Sequence, residues 1–146
     1  IITPIERTQV VQLRKAVQVW EALDCKVQQM SPDAHDAAFA AVSHLPHLVA
    51  FAFMNGIGAQ PLGQEFLALA GPGFRDFTRI AAGDPKMWRD VLLANRQELL
   101  TQSAAFREAL QAMEAMIESG NGEALQAAIA EASRSRGNWR MDTKKH

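Results

Sequence analysis

Val10, Leu13, Val17 and Trp20 recur at helical spacing and predict a helix over residues 10–23. Ahead of it, residues 1–3 read as the end of a buried strand stopped by Pro4, and residues 26–30 read as a second short strand. A strand, helix, strand unit of this kind fits the rim of an α/β domain. From Ser31 onward the pattern is helical. Ser31 and Pro32 make a cap and first-turn pair, after which an Ala-rich apolar segment runs over residues 33–55 until Asn55, Gly56 and Gly58 end it. A shorter helix is predicted over residues 63–69, a tight loop at Gly71-Pro72-Gly73, and another helix over residues 74–82. Asp84-Pro85 repeats the cap and proline pair. Trp88, Leu92, Asn95, Leu99, Gln102, Phe106, Leu110, Met113 and Ile117 then recur about every 3.5 residues and predict a single helix of about 30 residues. Ser119-Gly120-Asn121-Gly122 breaks that pattern, and residues 123–134 form a last helix. The apolar stripe of the long helix exceeds what a small core covers, so a second copy of the chain is the expected partner.

Composition narrows the class. With 146 residues, 48% of them apolar, the chain can bury a core of its own. The formal net charge is -1, with both signs interspersed, which offers no basic face to a phosphate backbone and speaks against nucleic acid as a partner. The single cysteine, Cys25, has no internal disulfide partner, and no charged-then-apolar leader stands before the first helix, so a cytoplasmic location is expected. Residues 37–54 are the most apolar stretch, but Ser43, His44, Pro46 and His47 interrupt it, and it reads as a buried helix rather than a bilayer span. The opening Ile-Ile-Thr-Pro, without an initiator methionine, reads as a start inside a longer protein.

Two segments carry candidate chemistry. In the first, Asp36, Ser43 and His47 fall within about 40° of one another on an ideal helix of 100° per residue. Such a polar stripe on an apolar helix is expected to line a cavity or meet a ligand, because burying it unpartnered costs a few kcal/mol. Pro46 removes the hydrogen bond to the Val42 carbonyl and should kink the helix where the histidines sit. The alternative is that a histidine here caps or satisfies a neighbouring carbonyl, and that is the reading for His44, about 60° from His47. His44 and His47 lack a third ligand at metal spacing, so no metal is expected. The second segment runs from Gly71 to Asp90 and contains Arg75, Asp76, Arg79, Trp88 and Arg89. An arginine suits a two-pronged grip on a carboxylate. Spacing alone equally allows a surface patch in which Asp76 pairs with Arg75 or Arg79. Trp88 alone reads as core. The sequence holds no G-x-G-x-x-G, Walker, Cys-x-x-Cys or G-x-S-x-G motif.

The same segments carry a family resemblance. Met-Ser-Pro-Asp-Ala-His-Asp-Ala-Ala-Phe-Ala-Ala-Val-Ser-His-Leu-Pro-His from Met30, Gly-Phe-Arg-Asp-Phe-Thr-Arg-Ile-Ala-Ala-Gly-Asp-Pro-Lys-Met-Trp-Arg-Asp from Gly73, and Leu-Ala-Asn-Arg ending at Arg96 resemble prephenate and arogenate dehydrogenases. Ile2-Thr3-Pro4 is similar to the end of that family's nucleotide domain. Cys25 stands where glycine is common in the family, and Pro72 interrupts a loop that is often all glycine. The resemblance implies residues 1–30 as the remnant of a dinucleotide-binding (Rossmann) domain and residues 31–146 as a helical substrate-binding and dimerisation domain. The fold class implied is mainly α, like the C-terminal domain of 6-phosphogluconate dehydrogenase, after a short βαβ remnant. It also implies an NAD(P)-dependent oxidative decarboxylation of prephenate to 4-hydroxyphenylpyruvate, or of arogenate to tyrosine. NAD or NADP would be bound mainly by an N-terminal nucleotide domain that this chain lacks and that would also carry the catalytic histidine, so the chain alone is expected to be inactive. On this resemblance Arg79 holds the ring carboxylate and His47 contacts the substrate side chain. Asp36 and Ser43 support that histidine, and Asp76 and Trp88 lie at the cleft near the subunit boundary. A non-catalytic helical module that dimerises or senses an aromatic amino acid is the rival expectation. A small all-α mutase acting on chorismate leaves the strand and helix before Ser31 without a role.

Overall fold

The protein is described by a computed structural model covering residues 1–140; residues 141–146, the end of the predicted helical domain, lie outside the described residues. It is almost entirely helical. Helix α1 spans Val10–Ala22, and α2 spans Pro32–Phe39. A π-helical turn, Ala40–His44, joins α2 to α3 (Leu45–Gly58). Helices α4 (Gly63–Ala68) and α5 (Pro72–Thr78) follow, then a 3-10 turn at Arg79–Ala82. Helices α6 (Pro85–Ala94), α7 (Arg96–Glu118) and α8 (Gly122–Asn138) are the last among the described residues.

The expected βαβ unit is reduced. Ile2 and Gln29 form one isolated parallel bridge across α1, and the described residues contain no named strand. The Ile2 amide donates to the Gln28 carbonyl at 2.9 Å and the Met30 amide to the Ile2 carbonyl at 3.2 Å. The pairing stops there because Pro4 and Pro32 flank it, and a proline has no amide to continue a ladder.

The caps read from sequence are present. Ser31 Oγ accepts from the Ala34 amide at 3.2 Å, and Asp84 Oδ1 accepts from the Met87 amide at 2.7 Å. Both precede a first-turn proline, whose missing amide proton is no loss there. Gly120, at φ +64°, ends α7. Two expectations fail. The long helix is two helices, because Asn95, at φ -107° and ψ 33°, separates α6 from α7. The helix over residues 74–82 is likewise α5 followed by the tighter 3-10 turn.

Two compact units result, Ile1–Gln102 and Ser103–His146. In the first, Ala40 and Ala50 are fully buried and Leu99 nearly so, which lets helices approach through small residues. Phe53 of α3 meets Phe74 and Phe77 of α5 at ring distances of 5.8 and 5.2 Å. Gly63, where a Cβ would overlap the Ile57 carbonyl, lets α4 close onto the end of α3. The expectation of a buried apolar helix is not met within one chain. Pro32–Gly58 is continuous over 27 residues and long and apolar enough to cross a membrane, and only 11% of its most apolar stretch is buried. In the second unit Phe106, Leu110, Met113 and Ile117 of α7 are exposed at 38, 44, 37 and 62%.

Candidate functional site

The site grows from the π turn. A π turn takes one residue more than an α turn, so residues beyond it lag by up to about 100° relative to an uninterrupted helix. The angular premise behind the Asp36, Ser43 and His47 stripe therefore does not hold: α2 and α3 present separate faces. Pro46, two residues past the turn, is spared an interior clash by the widened backbone.

On the α3 side, His47 Nδ1 donates to the Ser43 carbonyl at 2.9 Å. A carbonyl can only accept, so Nδ1 carries a proton, and in the neutral ring Nε2 is the acceptor. Ser43 thus meets His47 through its backbone. The imidazole stacks on Trp88 with centroids 3.6 Å apart and planes inclined by 23°. Phe51 closes edge-on to Trp88 at 6.2 Å. Gly83 makes this stack possible, since a Cβ there would stand 2.6 Å from Trp88 Cδ1. Beside the stack lies a cavity of about 350 Å3 lined by Phe51, Met54, Ala81, Gly83, Trp88 and Arg89, among others.

On the α2 side, the Asp36 carboxylate meets His35 Nδ1 at 2.9 Å. His35 stacks on Phe39 at 4.5 Å. Asn95, 9% exposed, donates its amide nitrogen to the Asp36 carbonyl at 2.8 Å and to His44 Nδ1 at 3.1 Å. Burial holds the His44 pKa below its ordinary value; nearby His35 lowers it further, Asp36 opposes this, and His47 adds to it. Asn95 was read only as one step of the apolar stripe. A lone asparagine in an apolar repeat was the available signal, because a buried amide requires partners.

The arginines divide clearly. Arg75 Nε pairs with Asp76 at 3.1 Å, and Arg89 pairs with Asp90 at 2.8 Å. Both are exposed pairs between sequence neighbours, each worth about 0–1 kcal/mol. Arg79 is exposed and makes no hydrogen bond or ion pair among the described residues. It opens the 3-10 turn whose Ala81 lines the cavity. No group of three or more potential metal ligands occurs among the described residues.

The described residues thus form a helical domain that combines an aromatic-walled cavity, a histidine stacked on one of its walls and an arginine without an internal partner on an adjoining turn. The family profile described as "Prephenate dehydrogenase, dimerization domain" matches residues 31–131. The chain belongs to the prephenate dehydrogenase family. The prephenate dehydrogenase of Bacillus subtilis (strain 168) is 35% identical over 104 residues, covering 68% of this chain and 27% of that protein. The cyclohexadienyl dehydrogenase of Zymomonas mobilis is 28% identical over 138 residues, covering 93% of this chain and 47% of that protein. Among solved structures, Aquifex aeolicus prephenate dehydrogenase in complex with hydroxyphenyl propionate and NAD+ superposes with a TM-score of 0.84 at 37% identity, over 92% of this chain and 47% of that one. Synechocystis arogenate dehydrogenase gives 0.83 at 27% identity, over 94% and 51%. The chain thus spans about half, or less, of the length of these relatives.

Proposed function

We propose that this chain is the substrate-binding and dimerising part of an NAD-dependent prephenate dehydrogenase, which oxidatively decarboxylates prephenate to 4-hydroxyphenylpyruvate. The observation that carries the reading is the free Arg79 guanidinium. Its neighbours Arg75 and Arg89 already face carboxylates, so Arg79 is the arginine of this motif open to a ligand carboxylate. His47 contributes a ring positioned by Ser43 and Trp88, suited to a contact with the substrate side chain. No residue of the chain is assigned to the dinucleotide, because the sequence contains no glycine-rich phosphate turn. Residues 1–30 are the last strand, helix and strand of the nucleotide-binding domain, a reading supported by the parallel Ile2 to Gln29 bridge across α1. Residues 31–146 are then the helical domain. The lone, exposed Cys25 suits the reducing cytoplasm in which this role is placed.

The reading includes a homodimer. The exposed faces of Pro32–Gly58 and of α7 call for cover, and the dimerization-domain match supports a second copy as the occupant over a lipid bilayer. The experiment is a titration of the chain with hydroxyphenyl propionate, read by calorimetry for wild type and Arg79→Ala. Arg79 is exposed before the ligand arrives, and hydrogen bonds to a charged group contribute about 1.5–3 kcal/mol, so its removal should weaken binding about tenfold to a hundredfold. Equal affinities would assign Arg79 to the surface alone.

A further inference from the structure

We infer that Asn95 is a positioning residue: it fixes His44 as a neutral imidazole whose Nε2–H is offered to an oxygen of the bound ligand. The ligand class, an aromatic or cyclohexadienyl carboxylate, rests on the function proposed above. The hydrogen-bond argument does not.

The direction of each bond follows from chemistry. The Asp36 backbone carbonyl can only accept, so the Asn95 side-chain atom 2.8 Å from it is the NH2 group. That group has a second hydrogen, directed at His44 Nδ1 3.1 Å away. His44 Nδ1 must then be the lone-pair nitrogen, and the ring proton of the neutral form resides on Nε2. Protonation of Nδ1 would set N–H against N–H. The groups around His44 reinforce neutrality, since burial, His35 and His47 all disfavour the cation and only Asp36 favours it.

His44 Nε2 has no protein partner, yet among the described residues no buried side-chain nitrogen or oxygen lacks one. Nε2 is therefore open to solvent or to a ligand. His47 is held the opposite way, with Nδ1 donating to Ser43 and Nε2 accepting in its neutral form. One histidine offers a donor and the next, three residues on, an acceptor. Asn95 sits at the break between α6 and α7, and its side-chain amide bonds both the Asp36 carbonyl and His44 Nδ1 from there.

The test is nitrogen-15 NMR of the histidine rings of the full chain, with hydroxyphenyl propionate as the probe and Asn95→Asp as the variant. In wild type, His44 Nδ1 is expected to show the shift of an unprotonated nitrogen and Nε2 that of a protonated one, with the Nε2–H resonance moving on ligand addition. A carboxylate at position 95 cannot donate to Nδ1, so Asn95→Asp should transfer the proton to Nδ1 or yield the imidazolium. Loss of a hydrogen bond to a charged ligand group should weaken probe binding about tenfold to a hundredfold. A wild-type His44 protonated on Nδ1 overturns the inference without any variant having to fold. So does an Asn95→Asp protein with an unaltered His44 spectrum. A probe that shifts His47 but leaves His44 untouched overturns the donor role while the proposed site stands. A probe that shifts neither histidine overturns the proposed site and the donor role together.

Discussion

Gly83→Ala tests the architecture of the aromatic wall. Gly83 has φ -68° and ψ 160°, a conformation open to any residue, so the backbone gives no reason for glycine. Absent other contacts, Gly→Ala there would stabilise by about 0.4–1 kcal/mol through the unfolded chain. The added methyl would instead stand 2.6 Å from Trp88 Cδ1 and nearer still to Nε1, well inside van der Waals contact. Trp88 cannot retreat easily, because His47 is stacked on it at 3.6 Å and Phe51 meets it at 6.2 Å. Overpacking of this kind costs about 1–3 kcal/mol, so a net loss of about 1–2 kcal/mol is expected. Urea unfolding followed by circular dichroism measures it, with Gly73→Ala as the control. Gly73 lies within α5 with open space around its Cβ position, so alanine there should stabilise by about 0.5–1 kcal/mol. In a Trp88→Ala background the Gly83→Ala penalty should vanish, and the difference is the coupling energy of the two positions. A Gly83→Ala protein as stable as wild type, or a penalty that persists without Trp88, would refute the proposed contact.

The His44 shift has a definite sign. Its folded pKa is lowered, so between that value and its ordinary 6.5 the unfolded chain binds the extra proton. The associated stability is complete above about pH 6.5 and is lost as pH falls through the folded pKa. Urea midpoints at pH 7.5 and 5 should drop more for wild type than for His44→Asn, and equal drops would remove the effect. Sedimentation equilibrium at micromolar concentration should show a dimer, and Leu110→Glu on the exposed α7 stripe should shift it to monomer; a monomeric wild type would sink the interface. Asp84→Ala should cost about 1 kcal/mol through loss of the α6 cap, measured as a urea midpoint shift. Arg79→Lys should recover only part of the affinity lost in Arg79→Ala, because a point charge lacks the paired donors of guanidinium; full recovery would argue against a two-pronged grip.

Features with local chemical causes were legible. Ser31-Pro32 and Asp84-Pro85 marked helix starts because a short polar side chain and a fixed proline φ act within one turn. The break at Asn95 was hidden by its neighbours. Leu92, Asn95 and Leu99 keep the helical period across it, since a one-residue interruption leaves the apolar face facing the same core. At the break the Asn95 side chain bonds the Asp36 carbonyl, 59 positions earlier, a partner that no local pattern encodes. The π turn was hidden for a related reason. Pro46 announced a disturbance, but whether a helix answers a proline by kinking or by widening the preceding turn depends on what receives the displaced residues.

The arginines show how such non-local causes enter a functional assignment. On an ideal helix Arg75 and Arg79 are one turn apart, and Asp76 is close enough in sequence to serve either. The sequence therefore left two answers to which guanidinium meets a ligand. In the folded chain α5 ends at Thr78, and Arg79 passes into a tighter turn. Asp76 pairs with its immediate neighbour Arg75, while Arg79 is left on the segment that also supplies Ala81 to the cavity wall. Thr78 marks the transition, its hydroxyl donating to the Phe74 carbonyl at 2.7 Å in the last turn of α5. A carboxylate ligand approaching this turn meets a cation with no internal carboxylate to displace. At Arg75 or Arg89 it would first have to compete with Asp76 or Asp90. The proposed role of Arg79 thus rests on where one helix stops, and a substitution that extended α5 through Ala82 is expected to weaken ligand binding without touching the guanidinium itself.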